Sequence, residues 1–533
     1  MIDLLVIGSG GAGLTAALTA AQSGSTVTVV TKTLPTAAQT SMAQGGMNAA
    51  THTPDTPGQH AADTLASAHG LADPVQVATL CDRAPETVAW LDALGMPFSR
   101  TPEGTVAQRT LGGASHPRAC YAQDYTGLKL LHTLYDRCVA AGVVFVTEHF
   151  LLNLITTDGV VLGATFWEST HGKVVALTAA HTLLATGGYG SIYHGYTTNS
   201  YGATGDGIAA VLRAGGMASN LEFVQFHPTA MAGSMVLISE GARGIGGHLV
   251  TEGGERFVDE LSPRDVVARA IFEQIQSGHD VSLDLRHVEA DVLREIMPQE
   301  LHLAQLHAGV DLTRELLPIL PAVHYTMGGI DVDRHGAVTG LQRISAVGEC
   351  ANHHLHGANR LGGNSLMEIV VFGREVAGAL ETASPSSIPD PAVIQAHIEA
   401  ETSRIEARFA GTGTKNLYFK RKILGKRLYH DLGIIRDARL LTEVLDTLQE
   451  LTDLLPEIAL PDPAREHNSY LTDLLEFENT LLLATATAQS ALWRTESRGA
   501  HWRSDFPQEE TELATESKLT LQHDRIAIHR TTP

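Results

Sequence analysis

The chain has 533 residues, 44% hydrophobic and 18% charged, the balance of a large globular protein with ample core rather than a disordered one. At roughly 150 residues per domain, that length allows three or four domains or one elaborated unit. Lys and Arg number 37 against 59 Asp and Glu, a formal charge of −22. This counts against nucleic-acid and anionic-lipid surfaces, which need a basic face, but not against a small anion in a local basic pocket.

Four cysteines, Cys81, Cys120, Cys138 and Cys350, lie far apart with no CxxC or CxH spacing. Neither a chain-borne iron–sulfur cluster, a zinc site nor a disulfide framework fits that pattern, and a reducing compartment does. The N-terminus has no basic leader, and its apolar run stops at glycines. No stretch reaches the ~18 uninterrupted apolar residues of a membrane span, so any membrane association is expected to run through a partner.

In chain order, Asp3-Leu-Leu-Val-Ile reads as a short buried strand. Gly8-Ser-Gly10-Gly11-Ala-Gly13 follows, then an Ala- and Leu-rich helix to Ser23, then a second strand over Thr26 to Val30. This is strand–turn–helix–strand order with Gly-x-Gly-x-x-Gly at the first turn, where backbone can approach a pyrophosphate and a helix N-terminus favours an anion. A tight turn without a ligand can carry the same glycines, so the surrounding strand and helix decide for a dinucleotide. The second strand ends in Thr31-Lys32, not in the acid that usually grips an adenosine ribose. A further strand, from Thr182, runs into Thr186-Gly187-Gly188, and another, Ile344 to Val347, into Gly348-Glu349. All three strand ends can meet at one sheet edge, where doubly wound folds bind ligands. The 51 glycines cluster rather than scatter, as loops against a ligand require. Residues 382–391 read as a linker, about 393–498 as a helical region, and the residues after Pro507 as a polar tail with a short strand or two.

Further motifs follow in order. They are Ser41-Met-Ala-Gln44-Gly45-Gly46, Ala185-Thr186-Gly187-Gly-Tyr-Gly190, Thr204-Gly-Asp206-Gly and Glu222-Phe-Val-Gln-Phe-His227-Pro-Thr. Beyond them come Ser239-Glu240-Gly-Ala-Arg243-Gly, Arg264-Asp-Val-Val, His324-Tyr-Thr-Met-Gly-Gly, His356-Gly-Ala-Asn-Arg360-Leu-Gly-Gly-Asn-Ser365-Leu366 and Glu496-Ser-Arg-Gly-Ala-His501. Over residues 1 to about 510 the chain resembles the flavoprotein subunit family of succinate dehydrogenase and fumarate reductase, which also contains L-aspartate oxidase. The resemblance implies an α/β fold: a Rossmann-like FAD-binding domain over 1–221 and 335–382, an inserted α+β capping domain over 222–334, a C-terminal helical domain over 392–505 and a tail over 506–533.

The family's substrates are four-carbon dicarboxylates, and its reaction moves a hydride between a substrate carbon and flavin N5 with a proton transfer at the neighbouring carbon. By resemblance His227, Ser239, His324 and Arg360 bind substrate, and Arg264 is the general acid, served by Glu240 and Arg243. An arginine ordinarily holds its proton too tightly for that work, but burial, neighbouring cations and a relay permit it. The plain alternative for Arg264 is an ion pair with Asp265 or Glu260. The resemblance also implies FAD contacts at Gly8, Gly10, Gly11, Gly13, Lys32, Ser41, Gln44, Gly45, Gly46, Thr186, Gly187, Asp206, Glu349, Ser365 and Leu366. His353, His354 and His356 form a close group, but the resemblance makes it a loop rather than a metal site.

In membrane-complex members the flavin is often bonded to a His seven residues before the second glycine of Gln-Gly-Gly. Here that position is Gln39, which is not nucleophilic, so the expected FAD is noncovalent. The chain length fits the oxidase and is short for the respiratory subunits, but does not decide; the missing His favours L-aspartate oxidase, and Leu111 favours the respiratory subunit, because the oxidases carry an acid there to face the substrate ammonium. A non-catalytic FAD-binding assembly factor would have lost the charged residues, and none is lost. The reading preferred is a succinate–fumarate oxidoreductase with an iron–sulfur partner subunit, cytoplasmic and held at the inner face of the membrane by its partners. L-aspartate oxidase is the alternative.

Overall fold

The structure, a computed structural model, describes residues 2–380 and 390–531. Its organising feature is a seven-stranded sheet. Strand Ile2–Ile7 pairs in parallel with Val27–Val30 on one side and with Lys173–Leu184 on the other. Leu4, Leu5 and Val6 are fully buried, as an apolar run at the centre of a parallel sheet must be. Ile344–Ala346 joins the far side of Lys173–Leu184, also in parallel, with Ala346 opposite Leu184 and Leu184 opposite Ile7. The glycine turns that follow these three strands therefore emerge at one edge.

The first turn needs its glycines. Gly8 sits at φ +111°, and a Cβ there would lie 2.1 Å from the Ala185 carbonyl oxygen; a Cβ on Gly13 would lie 2.1 Å from the Gly8 carbonyl oxygen. Strand, turn and helix Gly11–Gln22 pack too closely for any side chain.

Between residues 224 and 326 lies a second, antiparallel sheet in the order Val224–Met231, Leu317–Thr326, Val281–Asp284, His248–Thr251. Helix Arg264–Gln276 packs on it through Val267, Ala268, Ile271 and Phe272. Most of this segment closes on its own apolar core, which includes Ile238, Leu249, Leu283, Leu293 and Leu317. The linker-like stretch 382–391 lies, up to residue 389, outside the described residues. Beyond it run helices Pro391–Phe409, Leu417–Asp431, Ala438–Asp453 and Ser469–Trp493. The third begins at an Asp437 cap and buries Leu441, Val444, Leu448 and Leu451 along one face. The 25-residue last helix reaches back to the first sheet edge, where Asn479 donates to Asp206 Oδ1 at 2.8 Å.

The C-terminal segment is more than a tail. Ser517–Gln522 and Arg525–Arg530 form a hairpin, and the first of these strands pairs with Ala218–Ser219 inside a five-stranded sheet. Leu519 is fully buried there, while Ser517 and Lys518 donate to Glu222 and Asp331. The alternation is short and mostly polar, which is why the sequence shows strands but not their sheet. Among the described residues no helix is long and apolar enough to cross a membrane.

Candidate active site

A cavity of about 450 Å³ opens at the shared strand edge. It is lined by the Gly8–Ala12 turn, Val30–Thr33, Gln39, Thr186–Gly188, Asp206, Gly348-Glu349, Ser365 and Leu366. A Cβ on Gly10 would meet nothing nearer than 3.6 Å, and one on Gly187 nothing within 4 Å, so side chains at either position would project into open space. Bare backbone thus faces the cavity at the glycine turn, as close approach of a pyrophosphate requires. Just beyond the lining, the buried side-chain oxygen of Gln44 has no hydrogen-bond partner. These residues fit a bound dinucleotide.

The strand end carries no acid, but the cavity takes two from elsewhere in the chain. Lys32 Nζ donates to Asp206 Oδ2 at 2.7 Å, to Glu476 Oε1 at 2.8 Å and to the Gly202 carbonyl at 2.6 Å. Burial opposes the Lys32 charge, but Asp206 and Glu476 outweigh it and hold the amine above its ordinary range. Two acids from distant segments therefore line the cavity where the strand itself offers none. Gln39 also lines it, with its carbonyl oxygen accepting from the Ser200 amide at 2.6 Å. Glu349 is half-buried and accepts from Thr326 N at 3.0 Å; desolvation pushes its carboxyl up to about 7.

The cavity lining reaches Leu237 and His324, and behind these lies a buried cationic cluster. The short helix Glu240–Gly244 begins at Ser239, whose Oγ accepts from Gly241 N at 3.2 Å. The Glu240 carboxylate reaches in two directions: Oε2 accepts from Arg264 Nη2 at 2.8 Å and Nε at 3.1 Å, and Oε1 from Arg243 Nη2 at 3.2 Å and Gly112 N at 3.1 Å. Burial opposes ionisation of Glu240, but Arg264 and Arg243 hold it below the usual carboxylate range. Of the alternative partners for Arg264, Asp265 accepts instead from Asn359 and Glu260 from Arg256. Within the short helix Glu240–Gly244, Glu240 and Arg243 pair at i, i+3.

His227 and His324 face each other, ring centroids 5.0 Å apart. Burial first, and then Arg264, hold both well below the ordinary histidine range, so both rings are neutral near pH 7. The Thr229 amide donates to His227 Nδ1 at 3.2 Å, which makes Nε2 the N–H donor of that ring. Arg360 stacks 4.3 Å over the Tyr325 ring, and burial and Arg264 bring it down to about 10.

The structure adds residues that the sequence reading left out. Gln225 Oε1 accepts from both Arg264 Nη1 and Arg360 Nη2; it lies inside the His227 motif, and that adjacency was the available signal. Arg109, Asp124 and Glu300 gather behind Ser239. Nothing in the sequence marks Glu300, which reads as an ordinary acid in the first turn of helix Pro298–Ala308. The close histidines diverge: His353 stacks on Phe372, His354 bonds Glu516, and His356 bonds Glu368 at 2.9 Å.

The model of an FAD binding domain matches residues 3–366, and that of a fumarate reductase flavoprotein C-terminal region matches residues 421–530. The succinate dehydrogenase flavoprotein subunit of Coxiella burnetii is 39% identical over 95% of this chain and 92% of its own length. The fumarate reductase flavoprotein subunit of Escherichia coli is 35% identical over 94% and 88%. A solved E. coli quinol fumarate reductase superposes with a TM-score of 0.95 at 33% identity, covering 99% of this chain and 96% of its own.

Proposed function

The chain belongs to the flavoprotein subunit family of succinate dehydrogenase and fumarate reductase, and on that premise we propose that it interconverts succinate and fumarate. One observation carries the reading. In the connected buried group Arg243, Glu240, Arg264 and Arg360, three guanidiniums oppose one carboxylate. With His227 and His324 neutral, the group carries an excess of two positive charges, the complement of a dicarboxylate dianion.

Bound FAD would supply the hydride chemistry at flavin N5, held by the Gly8–Gly13 turn, Lys32, the Ser41–Gly46 segment, Thr186-Gly187, Asp206, Glu349 and Ser365-Leu366. Arg360, His227, His324 and Ser239 hold the two carboxylates, with Arg360 offering a planar two-pronged donor. Arg264 gives a proton to the substrate carbon next to the one that receives hydride, and takes it back in the reverse direction. Glu240, bonded to both Nε and Nη2 of Arg264, relays a replacement proton from the medium to Arg264, and Arg243 steadies its second oxygen. The Gln39 amide forms no carbon–nitrogen bond to flavin, so the FAD is noncovalent.

All four cysteines are free and buried. Burial pushes each thiol up, Cys81 and Cys138 to about 12 and Cys120 and Cys350 to about 11, so they offer no thiolate set for a cluster. We therefore assign electron transfer to an iron–sulfur partner subunit, which would also bring the chain to the inner face of the membrane. L-aspartate oxidation is not favoured, because Leu111, 2% exposed beside Gly112, offers an ammonium neither acceptor nor counter-charge. The test is fumarate reduction by the purified FAD-loaded chain with reduced viologen as donor. Turnover of fumarate supports the reading, and its absence in protein that retains FAD refutes it.

A further inference from the structure

Ser239 is held from behind by an acid that the mechanism above does not use. Its backbone N–H donates to Glu300 Oε1 at 2.8 Å, and the Glu300 backbone N–H donates in turn to Asp124 Oδ2 at 2.9 Å. Glu300 is fully buried and Asp124 is 1% exposed. Arg109 completes the group: a Cβ on Gly241 would lie 3.1 Å from Ser239 Oγ and 3.3 Å from Arg109 Nη1. Three buried atoms of this group have no hydrogen-bond partner, Glu300 Oε2, Asp124 Oδ1 and Arg109 Nη1. Two buried carboxylates and one half-buried guanidinium thus lie together, each with spare hydrogen-bonding capacity. That is a place to keep one exchangeable proton rather than a finished ion-pair network.

The charged groups facing Glu300 are few. Asp124 repels its ionised form and Arg109 attracts it, while the Tyr121 ring covers Arg109 at 4.6 Å. Burial dominates and pushes the Glu300 carboxyl up to about 7, against hydrogen bonding from the Ser239 side chain and amide. Asp124 is raised as well, again chiefly by burial. Glu300 therefore changes charge in the neutral range, directly behind a hydroxyl proposed to hold substrate.

We propose that Glu300 is a positioning residue for dicarboxylate binding: protonated, it leaves the Ser239 hydroxyl to the substrate carboxylate; ionised, it draws that hydroxyl to itself and sets a negative charge behind the substrate. The inference rests on the dicarboxylate reading of the site. It predicts affinity that falls as pH rises through the neutral range. Fumarate is a dianion across that range, Arg360 stays charged, and His227 and His324 stay neutral, so none of these produces the same slope, and Glu349, which also changes charge near 7, is left in place in the Glu300→Gln control.

The experiment titrates the oxidised FAD-loaded protein with fumarate from about pH 6 to about pH 8.5 and follows the flavin absorbance change. No reducing equivalents are present, so the readout is an equilibrium Kd rather than turnover. The parent Kd is expected to weaken about tenfold across this window, the scale of one pKa unit of differential interaction. In Glu300→Gln, which keeps an oxygen for the Ser239 amide, the Kd should vary less than about twofold over the same window. Asp124→Asn, which removes a charge that adds to burial in raising Glu300, should move the midpoint to lower pH. A flat parent profile overturns the proposal, as does a Glu300→Gln profile that keeps the parent slope. If Glu300→Gln does not fold, an Asp124→Asn midpoint at or above the parent's overturns it. Absence of a fumarate-induced change at every pH overturns the dicarboxylate reading, and this inference with it.

Discussion

Arg264 and Arg360 donate to the same side-chain oxygen, Gln225 Oε1, at 3.0 and 3.1 Å. Two like charges are thereby held together in a buried site, and Gln225 keeps them so with its own amide anchored on Asn359 Oδ1 and the Arg360 carbonyl, both at 2.8 Å. A neutral acceptor is the only choice that tethers both guanidiniums without cancelling their charge. Gln225→Glu keeps the shape and cancels one of the two excess charges. Its KM for fumarate should rise at least tenfold while the flavin spectrum stays that of the parent, a change of ~1.4 kcal/mol or more. Steady-state kinetics decide it, and an unchanged KM would mean that charge excess does not hold the substrate.

Arg264→Lys tests the proton step. Lysine keeps a charge but cannot hold both Glu240 Oε2 and Gln225 Oε1 in one plane as Arg264 does. Fumarate reduction should fall by at least three orders of magnitude with FAD still bound, or ~4 kcal/mol of transition-state stabilisation. Activity within tenfold of the parent would remove Arg264 from the mechanism.

Parts of this site were legible in the sequence and parts were not, for physical reasons. The first sheet edge was readable because Gly8 and Gly13 are demanded by local packing, and local packing leaves a local pattern. Lys32 looked like a defect at the end of a ribose-binding strand. Its meaning depends on Asp206 and Glu476, which lie 174 and 444 residues away. Gln225 shared the motif of His227 but has no special chemistry until two arginines converge on it. Glu300 resembles any acid at the start of a helix, and only the fold puts it behind Ser239. The hairpin after Pro507 has alternation too short to announce the sheet it joins.

The flavin link is tested by denaturation. Gln39 lines the cavity, but its carbonyl oxygen accepts from the Ser200 amide and an amide is no nucleophile. Acid precipitation should release all of the flavin to the supernatant. Yellow colour kept by the washed pellet would show a covalent bond at another residue.

Glu300 also ties stability to pH. Its carboxyl is raised from 4.5 to about 7 on folding, so between these values the unfolded chain gives up its proton first. The folded state then binds more protons than the unfolded one, and stability falls as pH rises through this window. The contribution of the neutral acid is fully present below pH 4.5 and lost above about 7. Glu300→Gln removes this loss. Relative to the parent, its thermal midpoint should therefore climb between pH 5 and pH 8, by an amount on the order of 3 kcal/mol in stability. A constant offset between the two proteins over that range would contradict a buried acid that titrates near neutrality.

Leu111 decides between two substrates that share both carboxylates. An amino acid brings an ammonium group that must lose water on binding, and without an acceptor the loss costs a few kcal/mol. Leu111 is buried at the edge of the cluster, next to Gly112, whose N–H is committed to Glu240 Oε1 at 3.1 Å. That carboxylate, Glu240, is engaged by Arg264 and Arg243. Fumarate and succinate present only CH or CH₂ at the same place, for which a leucine is an adequate neighbour. The FAD-loaded chain should therefore reduce fumarate with reduced viologen, yet show almost no flavin bleaching when mixed anaerobically with L-aspartate. Leu111→Glu would bury a second carboxylate beside Glu240 and bring an anion toward a dianionic substrate, so fumarate turnover should fall at least tenfold. Rapid bleaching of the parent flavin by L-aspartate would reverse the assignment, because a site that desolvates an ammonium against leucine could not pass its electrons to flavin so readily.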